Sequence, residues 1–256
     1  KTESALLPVF HNMLSKAHPE GFTALYITPL RSLNRDMMNR LEWWGKELGI
    51  RIAVRHGDTT QNDRRKQATH PPDLLITTPE SIQAMFMGKV LRKHLAGVRY
   101  VIVDEIHELA ASKRGCQLSV ALERIDELAG NFQRIGISAT VGNPELVGEF
   151  LCGKRPCQVV AVPVAKTLDL SVRFAGEGFG EQVKPIEKSI DSHTSTLAFT
   201  NTRSVAEAIG NAFSAREDVD VHHGSLSREV RVDAEDRFRN GLTRGMICTS
   251  SMELGI

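Results

Sequence analysis

A chain of 256 residues, 41% hydrophobic, 25% charged and 5% aromatic, has the make-up of an ordinary globular protein, and its length suits two α/β domains of about 100–150 residues each. Thirty-two Lys and Arg against 31 Asp and Glu leave a net charge of +1, which excludes a globally basic field, so contacts with any polyanion must come from local sites. No apolar run approaches the ~20 residues that cross a bilayer, there is no signal-peptide pattern, and Cys116, Cys152, Cys157 and Cys248 lack zinc spacing; the reading is a cytoplasmic protein with four buried thiols and no membrane.

The chain opens on Lys1-Thr2-Glu3, followed by Ala5, Leu6, Val9, Phe10 and Met13 at helical spacing. Lys then Thr at the start of a helix is how the phosphate-binding pattern G-x-x-x-x-G-K-[ST] ends, with the Lys on phosphates and the hydroxyl on Mg2+. The glycine loop of that pattern is not among these residues, so a P-loop here is an expectation about sequence ahead of Lys1. Short apolar, β-rich runs then begin at Gly21, Ile50, Asp73, Arg99 and Arg134, each ending in a polar turn before a helix-length segment. Such alternation predicts a parallel sheet covered on both faces.

Leu118, Ala121, Leu122, Ile125 and Leu128 keep helical spacing after the fourth run, and Asn143 before Pro144 marks a helix start. From Pro163 to about Ser195 the rhythm breaks at Gly176, Gly178, Gly180 and Pro185, which reads as a passage between lobes. A second series follows, with strands over Thr196–Thr200, Val219–His223 and Gly245–Thr249 and helices over Ser204–Ala215 and Arg228–Asn240, the latter capped by Ser227. The expected division is a first lobe over residues 1–163, a passage and the start of the second lobe over 164–195, and the second lobe over 196–256.

The strongest local signal is Val101-Ile102-Val103-Asp104-Glu105-Ile106-His107, an apolar strand that delivers two adjacent carboxylates at its C-terminal end. Ligand sites in parallel α/β sheets lie at that end. Asp104 is suited to hold Mg2+, and Glu105 to orient and deprotonate an attacking water. A solvated acidic turn is the competing reading of the same residues. Arg64-Arg65-Lys66 and Lys113-Arg114 read as solvated helix faces, and Trp43-Trp44 as one buried and one half-covered ring. His222 and His223 have no metal partners at zinc spacing and read as packing or positioning groups for the Gly224 turn.

Motif order is more specific than any single motif. Thr28-Pro29-Leu30-Arg31, Arg55-His56-Gly57-Asp58, Thr77-Thr78-Pro79-Glu80-Ser81, Asp104-Glu105-Ile106-His107 and Ser138-Ala139-Thr140 each fall at the end of a predicted strand. Leu197-Ala198-Phe199-Thr200-Asn201-Thr202-Arg203, His222-His223-Gly224-Ser225-Leu226-Ser227 and the segment from Cys248 to Ile256 continue the series. Taken in this order the chain resembles a superfamily 2 helicase of the DEAD/DEAH-box type, and within it the Lhr, or large helicase-related, group. The resemblance covers nearly the whole chain and is weakest between Val164 and Ser195.

The resemblance implies two RecA-like P-loop NTPase lobes with parallel sheets, the second incomplete, because the arginine-bearing motif that follows Gly255-Ile256 in that family is not among these residues. For that reason these 256 residues alone are expected to turn over little ATP. It further implies that Lys1, Thr2, Asp104, Glu105 and Gly255 meet ATP, that Thr2 and Asp104 meet Mg2+, and that Glu105, Asp104 and Lys1 are catalytic. His107, Ser138 and Thr140 would couple hydrolysis to movement. Thr28, Arg31, Gly57, Thr78, Thr200, Asn201, Arg203 and Thr249 would grip the backbone of a single-stranded or partly duplex nucleic acid, DNA favoured over RNA. Alternating lobe closure would then step the protein along one strand, and DNA repair is the process to which analogy points. An RNA-remodelling ATPase and a catalytically silent nucleic-acid-binding scaffold are the alternatives. Oligomeric state is not set by the sequence.

Overall fold

A computed structural model of the chain describes residues 2–15, 21–29, 40–41, 43–139, 141–161, 169–249 and 252. The chain divides into two compact units, Lys1–Pro163 and Val164–Ile256. The first contains α1 (Thr2–Ser15), β1 (Ala24–Ile27), β2 (Ile52–Arg55), α2 (Gln61–Thr69), β3 (Leu74–Thr77), α3 (Pro79–Met85), α4 (Lys89–Leu95), β4 (Tyr100–Val103), α5 (Ile106–Ala110), α6 (Lys113–Ala129), β5 (Gln133–Gly136) and α7 (Pro144–Cys152). Residues 43–48 are also helical. The five strands form one parallel sheet in the order β2-β3-β1-β4-β5.

That order follows from burial. The apolar strands Ala24–Ile27 and Leu74–Thr77 are buried along their whole length and take interior positions, whereas the more polar Gln133–Gly136 lies at an edge. Alternate strand residues feed two cores, one on each face. Leu25, Ile27, Val101 and Val103 join Ile82, Leu118, Leu122 and Ile125. Ala24, Tyr26, Ile76 and Ile102 join Leu6, Val9 and Phe10 of α1. Helix starts are satisfied locally: Asn143 Oδ1 accepts from Leu146 N at 3.0 Å, with Pro144 in the first turn where no donor is needed.

The second unit contains α8 (Phe179–Ser192), β6 (Thr196–Thr200), α9 (Arg203–Ala212), β7 (Val219–His222), α10 (Arg228–Arg239) and β8 (Gly245–Thr249), with a parallel sheet ordered β6-β8-β7. Ile247 faces the core made with α8 and α9, while Met246 and Cys248 face the one made with α10. Helix α8 lies inside the stretch whose broken rhythm reads as a passage. Its Pro185 removes one backbone donor, but Val183 and Ile190 are buried against the sheet, and that burial holds the helix together.

Two thiols depart from the sequence reading. Cys152 and Cys248 are buried, and burial pushes each up to about 11. Cys116 and Cys157 are exposed. In α6 the inward stripe is Gly115, Leu118, Ala121, Leu122 and Ile125, so Cys116 falls on the outer face, and Cys157 lies beyond the end of α7. Among the described residues no helix is long and apolar enough to cross a membrane.

One close approach fixes α9 on the second sheet: a Cβ at Gly210 would sit 2.2 Å from Val221 Cγ2. Replacing a helical glycine with alanine ordinarily gains about 1 kcal/mol. Gly210→Ala is instead expected to lower unfolding stability by about 1–3 kcal/mol in urea titrations, because the methyl overpacks β7. A stability gain would contradict this packing.

Candidate functional site

The five strands of the first sheet end level with one another. Ile27 pairs with Thr77 and with Val103, Arg55 with Thr77, and Val103 with Gly136. The residues that follow therefore form a row along the C-terminal edge: His56-Gly57 after β2, Thr78 after β3, Thr28 after β1, Asp104-Glu105 after β4 and Ile137-Ser138 after β5. A parallel sheet presents its ligands at this edge.

Asp104 is 7% exposed, and both its oxygens are held. Oδ1 accepts from Glu105 N at 3.0 Å, and Oδ2 accepts from the Tyr26 hydroxyl at 2.6 Å. Thr2 at the start of α1 lies near the same phenol and offsets part of the burial that raises it. Tyr26 thus neighbours both the hydroxyl and the carboxylate of the expected metal set. Hard oxygen donors at a helix start suit Mg2+ and phosphate, and an ionised carboxylate oxygen accepts more than one bond, so these residues fit the group.

Glu105 is the sole non-glycine with positive φ among the described residues, at φ 45° and ψ 44°. A left-handed glutamate costs on the order of 1–3 kcal/mol and persists only where its surroundings enforce it. They do so here. Ile106 N donates to Ile137 O at 3.0 Å, and α5 is held on α6 at Gly115, where a Cβ would lie 2.0 Å from Leu109 O. The strained turn aims Glu105 along the edge, with Oε2 3.5 Å from His107 Nδ1. The same nitrogen lies 3.2 Å from Ser138 Oγ, so one imidazole faces both the β4 and the β5 turns.

On the other half of the edge, Thr28 is fully buried and its hydroxyl has no partner among the described residues. Gly57 is exposed in a tight loop that Arg64 clasps, donating to His56 O at 3.1 Å, Gly57 O at 3.0 Å and Thr59 O at 2.9 Å. Arg64 is therefore not a solvated face as its run implied: its guanidinium satisfies three backbone carbonyls of the loop. Arg65 and Lys66 are exposed. Thr78 caps α3 by accepting from Ser81 N at 3.4 Å, and Arg114 pairs with Glu80 on that helix, holding the Glu80 carboxyl below its ordinary value. In the second unit Thr200 Oγ1 donates to Thr202 O at 3.1 Å, Asn201 and Arg203 are exposed, and Thr249 ends β8 beside Thr200.

Lys1, Arg31, Thr140 and Gly255 lie outside the described residues. Tyr26 and Arg64 were missed by sequence reasoning. The signal for Tyr26 was one hydroxyl-bearing residue in an otherwise aliphatic strand; Arg64 had none, since it sits in a charge run. Trp44 packs partly on the core and Trp43 stands 58% exposed, edge-on at 4.7 Å, so neither ring is fully buried.

Residues 1–147 match the DEAD/DEAH box helicase family and residues 181–256 the helicase conserved C-terminal domain. The chain belongs to the DEAD/DEAH box helicase family. Within it the chain is similar to the ATP-dependent helicase Lhr-Core of Methanothermobacter thermautotrophicus, 37% identical over 100% of this chain and 34% of that protein. It is also similar to the Lhr helicase/probable uracil glycosylase of Mycolicibacterium smegmatis, 34% identical over 100% of this chain and 21% of that protein. The structure of Mycobacterium smegmatis helicase Lhr bound to ssDNA and AMP-PNP is 36% identical, with a TM-score of 0.81 over 100% of this chain and 37% of that one. The architecture is that of RecA-like helicase lobes, and the chain spans roughly a third or less of these relatives' length.

Two predictions follow from the β4 turn. Glu105→Gly relieves the left-handed strain and is expected to raise unfolding stability by about 1 kcal/mol in thermal melts; a loss of stability would contradict the strain argument. The Tyr26 phenol is held above its ordinary 10.0, first by burial and then by the Asp104 carboxylate. Since the folded value exceeds the unfolded one, its contribution to stability is fully present below that ordinary value and is lost as pH climbs above it. Tyr26→Phe should flatten that alkaline decline and cost about 1–3 kcal/mol at neutral pH, because Asp104 Oδ2 loses its donor. An alkaline decline of wild-type steepness in the variant would place the cause elsewhere.

Proposed function

We propose that the protein is the motor portion of an ATP-dependent helicase that tracks single-stranded DNA and separates duplex, working in the cytoplasm. The observation that carries this reading is the row of strand ends, which sets the acid pair Asp104-Glu105 beside the hydroxyls and amides of the β1, β2 and β3 ends on one continuous edge. Glu105 takes the proton of the water that attacks the terminal phosphate, and its strained turn fixes the carboxylate for that task. Asp104 and Thr2 would hold Mg2+, which neutralises phosphate charge when bound. His107 and Ser138 read the state of Glu105 across the β4 and β5 turns and pass it to the rest of the lobe.

Thr28, Gly57 and Thr78 in the first lobe, with Thr200, Asn201, Arg203 and Thr249 in the second, take backbone phosphates. Hydroxyls, amides and one guanidinium bind phosphate without reading sequence, so affinity should fall with salt and vary little among sequences. DNA is favoured because the similar Lhr structure is described as bound to ssDNA.

The test is ATP turnover by the full-length protein that carries these residues, without nucleic acid, with single-stranded DNA and with single-stranded RNA, alongside its Glu105→Gln variant. DNA is expected to stimulate turnover and the variant to lose about 100-fold or more while still binding ATP. Stimulation by RNA alone would make it an RNA-remodelling ATPase, and a flat response with an unaffected variant would leave a silent binding protein.

A further inference from the structure

Strand β7 ends on His222, and His223 follows it directly; the two side chains leave toward the helices on opposite faces of the second sheet, as successive residues of an extended chain do. Both are buried. His222 Nε2 meets Glu235 Oε1 of α10 at 3.0 Å, and His223 Nε2 meets Glu207 Oε1 of α9 at 2.5 Å. The end of the strand is pinned between the two helices that cover the sheet.

The second nitrogen of His223 fixes the chemistry of the ring. Ser225 N donates to His223 Nδ1 at 3.2 Å. A backbone amide can only donate, so Nδ1 carries no proton, and the neutral ring must carry its proton on Nε2, facing the Glu207 carboxylate. Arg203 lies one turn before Glu207 on the same face of α9 and donates to Ser225 Oγ. Gly210, on that face one turn further on, lets the helix approach β7 closely enough for these contacts.

We propose that Glu207 is a positioning residue for the grip of the second lobe on nucleic acid. Through His223 it selects the tautomer that accepts from Ser225 N, which holds the Ser225 hydroxyl under Arg203 and presets the Arg203 guanidinium for a backbone phosphate. Holding a long side chain in its bound geometry reduces the ordering cost of binding. The role in binding rests on the reading above that Arg203 meets phosphate; the tautomer and the loop anchoring do not.

The experiment is long-range proton–nitrogen NMR of the His223 ring and hydrogen exchange of the Ser225 amide, together with the affinity for a labelled single-stranded DNA oligonucleotide. Wild type, Glu207→Ala, Glu207→Gln and Arg203→Ala are compared. Glu207 is half exposed, so its variants keep the fold. The expected result is a protonated Nε2 in the wild type, faster Ser225 exchange in Glu207→Ala, and a dissociation constant raised about tenfold in that variant. Gln, whose carbonyl oxygen still accepts from Nε2, should restore both exchange and affinity to near wild type. A proton on Nδ1, or a Ser225 amide indifferent to Glu207→Ala, overturns the anchoring. Affinity unchanged in Glu207→Ala while Arg203→Ala weakens binding overturns the positioning role. Unchanged affinity in Arg203→Ala instead overturns the nucleic-acid reading of this loop, with the NMR still deciding the anchoring.

Discussion

Register in the first sheet is the constraint on which the rest depends. Every backbone donor and acceptor of a buried parallel strand must be met by its neighbours, and the apolar residues of β1 and β3 commit those strands to interior positions. Once the pairings are set, the five strands stop together and the polar residues after each one share an edge. A slip of one residue would turn Tyr26 to the other face and separate its hydroxyl from Asp104.

Along that edge the structure departs from local preference where chemistry is expected. Asp104 and Thr28 are buried polar groups, and Glu105 occupies a backbone region that suits glycine. Each opposes stability, and each is held by ordinary contacts nearby: Asp104 by the Tyr26 phenol, Glu105 by the Ile106–Ile137 backbone bond and the Gly115 contact under α5, and Thr28 by its backbone N–H, which donates to Thr77 O at 3.0 Å. The second unit repeats the strategy with His222 and His223, whose burial is compensated by carboxylates from both covering helices.

Much of this was legible in the sequence. The apolar runs and their polar ends are strong signals because a parallel strand is buried on both faces, and the motif order pointed to a helicase of the family the chain belongs to. What the sequence did not display was long-range. Tyr26 and Asp104 are 78 residues apart, and nothing local tells that one will donate to the other. Arg64 sits in a run of three charges, yet only the fold turns it, and not Arg65, back onto the Gly57 loop. Helix α8 was hidden because its glycines and Pro185 carry loop signals while its burial comes from strands that follow it. The outward placement of Cys116 depends on the phase of α6, which the cysteine spacing does not reveal.

The central claim is that one sheet edge couples a nucleotide site to a nucleic-acid grip. It is tested most directly by the affinity of the protein for a single-stranded oligonucleotide with and without a non-hydrolysable ATP analogue and Mg2+. Coupling through the β4 and β5 turns predicts a change of about fivefold or more, with the oligonucleotide changing analogue affinity by the same factor. Two affinities that are each measurable and wholly independent of the other ligand would contradict it.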